Sequence, residues 1–351
     1  MTDDISNYTF DFEKEVNDLR RSLGSKAGNI LFTEVDVTPS KEANVPPEIS
    51  LQKIVGAENF NKATFSFIHD WIVSSYTDDP LSSSFSNSFS NADNIIVGHV
   101  VCLREKESLS KELGEENKNL MRLFILYHET AHVLIPGVGN GDQDHPFWEA
   151  AGDAYAALRL FQRFGQEAGA LLSMMSWLRT KDAIVFNTHH LTTTVLDKII
   201  ADSARRDFSE LTPAETAELA ESYAKEWTPT ASVLSAARPL FRQGNCISPL
   251  LLAQTCLTSS DKFAFYIGAK FFQPFLQPEG ILWNGKTSQL TAIEREAYAR
   301  FIEKTAAGMG LHAIFNRVAD RPEEEPPVTT LLKISLPAGQ KQFVVDPPKF
   351  P

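Results

Sequence analysis

The sequence predicts a helix-rich α+β fold, with a small N-terminal lobe that carries most of the strands and a helical C-terminal lobe. Extended β-branched runs, "NILFTEVDV" (29–37) and "NIIVGHVVCL" (94–103), are concentrated in the first 103 residues. Apolar residues at helical spacing dominate after residue 115. A chain of 351 residues, 43% of them hydrophobic, is long enough to bury a substantial core. These observations divide the chain into an N-terminal α/β lobe (1–93), a central core (94–200), a helical C-terminal lobe (201–315) and a Pro-rich tail (316–351).

The first predicted element is a charged helix from Asp11 to Leu23, followed by the strand in "NILFTEVDV". The Pro pair in "KEANVPPEIS" marks a connection. Residues 74–93 are rich in Ser and Asn, and are expected to form a surface loop anchored by Phe85 and Phe89, with a disordered linker as the other reading. The strand at 94–103 follows. It leads into the helix "EENKNLMRLFILYHETAHVLI" (115–135), whose apolar positions are Leu120, Leu123, Phe124, Tyr127 and Ala131. Pro136-Gly137 stops that helix, and Gly137, Gly139 and Gly141 turn the chain. Pro146 then sits near the start of a second helix, capped by Asp144 or His145, which runs to Gly165. Beyond it the capping boxes "TPAE" (212–215) and "TAIE" (291–294) announce further helices, and Thr192 or Thr193 caps another.

Composition narrows the function. A net charge of −12 repels phosphate backbones and anionic lipid, so neither nucleic acid nor membrane is an expected partner. Three scattered cysteines, Cys102, Cys246 and Cys256, point to a reducing compartment and small buried side chains rather than a disulfide framework. The N-terminus lacks the layout of a secretory signal, and no apolar run approaches the roughly 20 residues that span a bilayer. A soluble, cytoplasmic protein is expected. The sequence leaves its oligomeric state open.

The chemistry centres on "HETAH", residues 128–132. On a helix His128 and His132 leave the same face one turn apart, and two imidazoles so placed can share a zinc at about 2.0–2.1 Å each. Glu129 is placed to act on a water activated by that metal. With 8 histidines in the chain the pentad can also arise by chance, and two capped core histidines would look the same. A catalytic zinc takes a third protein ligand, and the downstream candidates are Asp142, Asp144, His145, Glu149 and Asp153. Ile135 and Val138 stand where the metzincin pattern H-E-x-x-H-x-x-G-x-x-H needs Gly and His, which excludes that class. Glu149 lies on the next helix and Asp153 follows it by four, on one face. Glu149 is the favoured ligand, with Asp153 and then His145 as alternatives. An Asp153 not used as ligand could accept the outward N–H of a metal-bound histidine.

"HETAH" followed by "EAAGDAYAAL" resembles the gluzincins, the zinc metallopeptidase group with H-E-x-x-H and a later E-x-x-x-D. The resemblance covers about 35 residues. It implies a zincin-like core, zinc held by His128, His132 and Glu149, Glu129 as general base, Asp153 behind the metal ligands, and a peptide or protein substrate. In that chemistry a later histidine can donate to the developing oxyanion, and His190 in "NTHHLTTTVLD" is the candidate; a histidine bonding to a helix end is the other reading. In zincins an edge strand ahead of the active-site helix pairs with extended peptide, a role open to 94–103, as is that of a plain buried strand. Tyr155 is expected in the core and His99 in a structural position, while His69 and His312 receive no role. Two rival functions are a non-catalytic helical interaction protein and a zinc hydrolase of non-peptide substrates.

Overall fold

The computed structural model describes residues 5–35, 54–55, 85–90, 96–103, 117–135, 146–184, 190–229, 257–276, 278, 281–283, 286–288 and 290–311. Helix dominates these residues, as expected. They fall into two compact units that interleave along the chain. The first takes Met1–Gly141, Ala154–Ala168 and Phe208–Glu221; the second takes Asp142–Asp153, Gly169–Asp207 and Ser222–Pro351.

In the first unit, helix α1 (Phe12–Leu23) is opened by Asp11, whose carboxylate accepts from the Lys14 amide. Its buried face is Phe12, Val16, Leu19 and Leu23, a 3–4 spacing whose burial stabilises by about 1.5–3 kcal/mol per side chain. Gly24 ends it at φ 58°, a backbone angle costly for residues with a Cβ. A four-stranded sheet follows, made of β1 (Ile30–Val35), β2 (Ile54–Val55), β3 (Phe85–Ser90) and β4 (Ile96–Leu103), in the order β2-β1-β4-β3. β1 runs parallel to β4, from Ile30 opposite Gly98 to Val35 opposite Leu103. β3 runs antiparallel to β4, from Phe85 opposite Val101 to Ser90 opposite Ile96.

Two expectations are corrected here. The Ser/Asn-rich segment 74–93 is not loop throughout, because Phe85–Ser90 is an edge strand. Pairing with β4 overrides the weak strand preference of Ser and Asn. β4 is interior, with β1 on one side and β3 on the other, so its main-chain groups already face two neighbours. It cannot serve as the edge strand that adds a peptide.

Helix α2 (Lys118–Leu134) packs against β3 and β4. Its predicted apolar positions, Leu120, Leu123, Phe124, Tyr127 and Ala131, are all buried. Ile135 leaves the helix with extended angles (φ −91°, ψ 114°), the conformation a following proline imposes. Helix α3 (Phe147–Phe164) begins one residue later than expected: the Pro146 carbonyl accepts its first hydrogen bond, from Ala150 at 2.8 Å. Gly165, at φ 57°, ends it as predicted. Along its second half Arg163 grips the buried Glu15 with both nitrogens, one at 3.1 Å, and Gln162 donates to Leu211 and Thr216. Arg122 pairs through Nη2 with the buried Glu34.

The second unit holds α4 (Ala168–Ile184), α5 (Thr193–Ser203), α7 (Lys262–Phe272), α8 (Ala292–Gly308) and the hairpin β5 (Ile281–Trp283)–β6 (Lys286–Ser288). Helix α6 (Pro213–Trp227) begins in the first unit and ends in the second. Both predicted capping boxes form: Thr212 with Glu215, and Thr291 with Glu294. Among α4, α5 and α7 lies a buried polar group. Lys270 Nζ donates to Asp197 at 2.5 Å and to the Ser176 hydroxyl, and the Tyr266 hydroxyl donates to the same Asp197 oxygen. Among the described residues no helix is long and apolar enough to cross a membrane. The glycine turn after Pro136, the connection at 41–50, Cys246, Cys256 and the Pro-rich tail lie outside the described residues.

Candidate metal centre

α2 presents His128 and His132 one turn apart, as their spacing requires. Their Nε2 atoms are 3.0 Å apart and the rings stand at 87° to one another. Phe124, one turn earlier, stacks on the His128 ring with centroids 6.2 Å apart. His128 is buried and His132 half-buried. α3 supplies the third group, Glu149, on its first turn. Further along that same helix the Arg159 guanidinium lies over the Tyr127 ring of α2, at 5.4 Å from its centroid.

One ligand atom each from His128, His132 and Glu149 lies within 4.8 Å of the other two. Ligands at about 2.0–2.2 Å around a tetrahedral metal stand about 3.4 Å apart; the histidine nitrogens, at 3.0 Å, are somewhat closer than that and near enough to share one ion. The donor set is two imidazole nitrogens and one carboxylate oxygen, groups that bind divalent transition metals. These residues could together hold a metal ion.

Of the two downstream candidates among the described residues, Glu149 and not Asp153 joins the histidine pair. His145, Asp142 and Asp144 lie outside the described residues. Asp153 is fully buried and is not in the metal-binding group. Its carboxylate takes the Arg179 guanidinium through Nε and Nη2, both at 2.8 Å, and the Thr192 hydroxyl at 2.5 Å. The bidentate pair places Asp153 in a brace between α3, α4 and the start of α5. Glu129 is buried at 8% exposure, beside His128 on α2.

His190 reaches the site: its Nε2 is 3.1 Å from Glu149 Oε2. Two residues on, Thr192 opens α5, and its amide donates to the His190 carbonyl at 2.9 Å. Tyr155 is fully buried, in keeping with a core role, and burial pushes its hydroxyl up to about 12. His99 is on the interior strand β4, while His69, His189 and His312 lie outside the described residues. Arg179 was not foreseen as part of this group. Its partner Asp153 is 26 positions away, and an arginine on an apolar helix carries no local mark of what it pairs with.

Comparison with protein-family models, with curated proteins and with solved structures finds no match to this chain in any of the three.

Proposed function

We propose that the chain is a zinc-dependent peptidase of the gluzincin type, with a zincin-like core, that hydrolyses peptide bonds in a peptide or protein substrate. The observation that supports this most is the convergence of His128, His132 and Glu149. The two motif histidines and the glutamate of the E-x-x-x-D run come together from different helices. A helix bearing H-E-x-x-H laid against a sheet, α2 on β3 and β4, agrees with such a core.

In this reading His128, His132 and Glu149 hold the metal. When bound, zinc supplies Lewis acidity to the attacking water and to the scissile carbonyl. Glu129 takes the proton of that water as oxygen bonds to the carbonyl carbon. It then passes the proton to the amine nitrogen as the C–N bond breaks. The 8% exposure of Glu129 limits competing solvation of its carboxylate, which favours such proton transfer.

The test is hydrolysis of a mixed-sequence peptide library, followed by mass spectrometry, with zinc content measured on the same samples. Glu129→Gln should keep the zinc and lose about 10²–10⁴ in rate, the usual worth of a positioned general base. Full peptide turnover by Glu129→Gln, or by protein stripped of metal, would remove the assignment. Bound zinc without peptide turnover would favour a hydrolase of another substrate class.

A further inference from the structure

Thr192 occupies the N-cap position of α5, yet its side chain makes no capping hydrogen bond to that helix. A threonine there ordinarily accepts from an amide of the first turn. Here its hydroxyl donates to Asp153, the residue that Arg179 also holds with two hydrogen bonds. The turn that begins with His190 is thereby tied to α3, the helix that also carries Glu149. From it His190 puts Nε2 at 3.1 Å from Glu149 Oε2.

We infer that His190 is a positioning residue for the metal centre: it donates Nε2–H to Glu149 Oε2 and aims the other oxygen at the metal, while Asp153, through Thr192, holds His190 in place. The inference rests on the reading that His128, His132 and Glu149 bind the ion. It differs from an oxyanion role for His190, because its ring nitrogen acts on a ligand carboxylate rather than on substrate. Ligating carboxylates depend on such outer partners, and their loss costs about 10–100-fold in metal affinity. A glutamate side chain left to rotate must be ordered when the ion binds, which is where that loss arises. Asp153 then serves the centre at one remove: its bonds to Arg179 and Thr192 set the 190–192 turn.

The experiment is zinc affinity by competition with a chromophoric chelator, on full-length protein whose folding is checked by circular dichroism. His190→Ala should weaken zinc by about 10–100-fold. His190→Gln, whose amide nitrogen can stand where Nε2 stands, should recover most of that loss. Thr192→Val, which keeps shape and removes the hydroxyl, should weaken zinc by a smaller factor in the wild-type background. It should have no effect in His190→Ala, because its action runs through His190; Thr192→Ser should restore affinity. Unchanged affinity in His190→Ala, while Glu149→Gln loses the ion, would overturn the inference and leave the metal centre standing. An equal loss from Thr192→Val in both backgrounds would overturn the route through His190. Failure of the wild-type protein to bind zinc would overturn both.

Discussion

Replacing Asp153 with alanine removes the acceptor of three hydrogen bonds at once. Two come from the Arg179 guanidinium at 2.8 Å and one from Thr192 at 2.5 Å. Asp153 is fully buried, and the Arg179 side chain is 14% exposed. Breaking a buried ion pair by removing one partner costs about 3–5 kcal/mol, because the remaining charge stays out of water without compensation. Arg179 keeps some contact with solvent, which places the expected loss at the lower end, about 3 kcal/mol. Arg179→Met strands the more deeply buried partner, and should cost about 4 kcal/mol. The double variant should be much less destabilised than the sum, with a coupling of about 2 kcal/mol or more. Urea unfolding of the four proteins, followed by circular dichroism, reads these values. A loss below about 0.5 kcal/mol for Asp153→Ala, or additive effects in the cycle, would refute the brace.

Two further predictions concern other parts of the fold. The Thr212 amide and hydroxyl hold the Glu215 carboxyl below its ordinary 4.5, so this capping bond adds stability above that value and loses it as pH falls through the lowered one. Glu215→Gln should therefore lower the unfolding midpoint near neutral pH and match wild type once the pH is well below the lowered value; an equal deficit at both would contradict the charge origin. In the second unit, Lys270→Met alone strands the buried Asp197 and should cost about 3 kcal/mol, with Lys270→Met/Asp197→Leu recovering most of it. Thermal melts that show the double variant worse than the single would contradict this.

Much of this was legible because it was local. The spacing of Leu120, Leu123, Phe124, Tyr127 and Ala131 marks the helix face that carries His128 and His132. Pro136 explains the extended Ile135, and Thr291 with Glu294 forms the capping box its sequence spells. Glu149 could be preferred over Asp153 from residue type and helix face. What the sequence hid was non-local. β3 is a strand because β4 lies beside it, not because Ser and Asn favour extension. Strand order, which makes β4 interior, has no local signature. Asp153 could be placed near the candidate metal ligands by helical spacing, but its partners are 26 and 39 positions away on other elements.

The most direct test of the central claim is X-ray anomalous scattering at the zinc absorption edge, from crystals of the protein grown with zinc. The prediction is one peak at about 2.0–2.2 Å from a ring nitrogen of His128, a ring nitrogen of His132 and a carboxylate oxygen of Glu149. No peak there, or a zinc coordinated without Glu149, would contradict it.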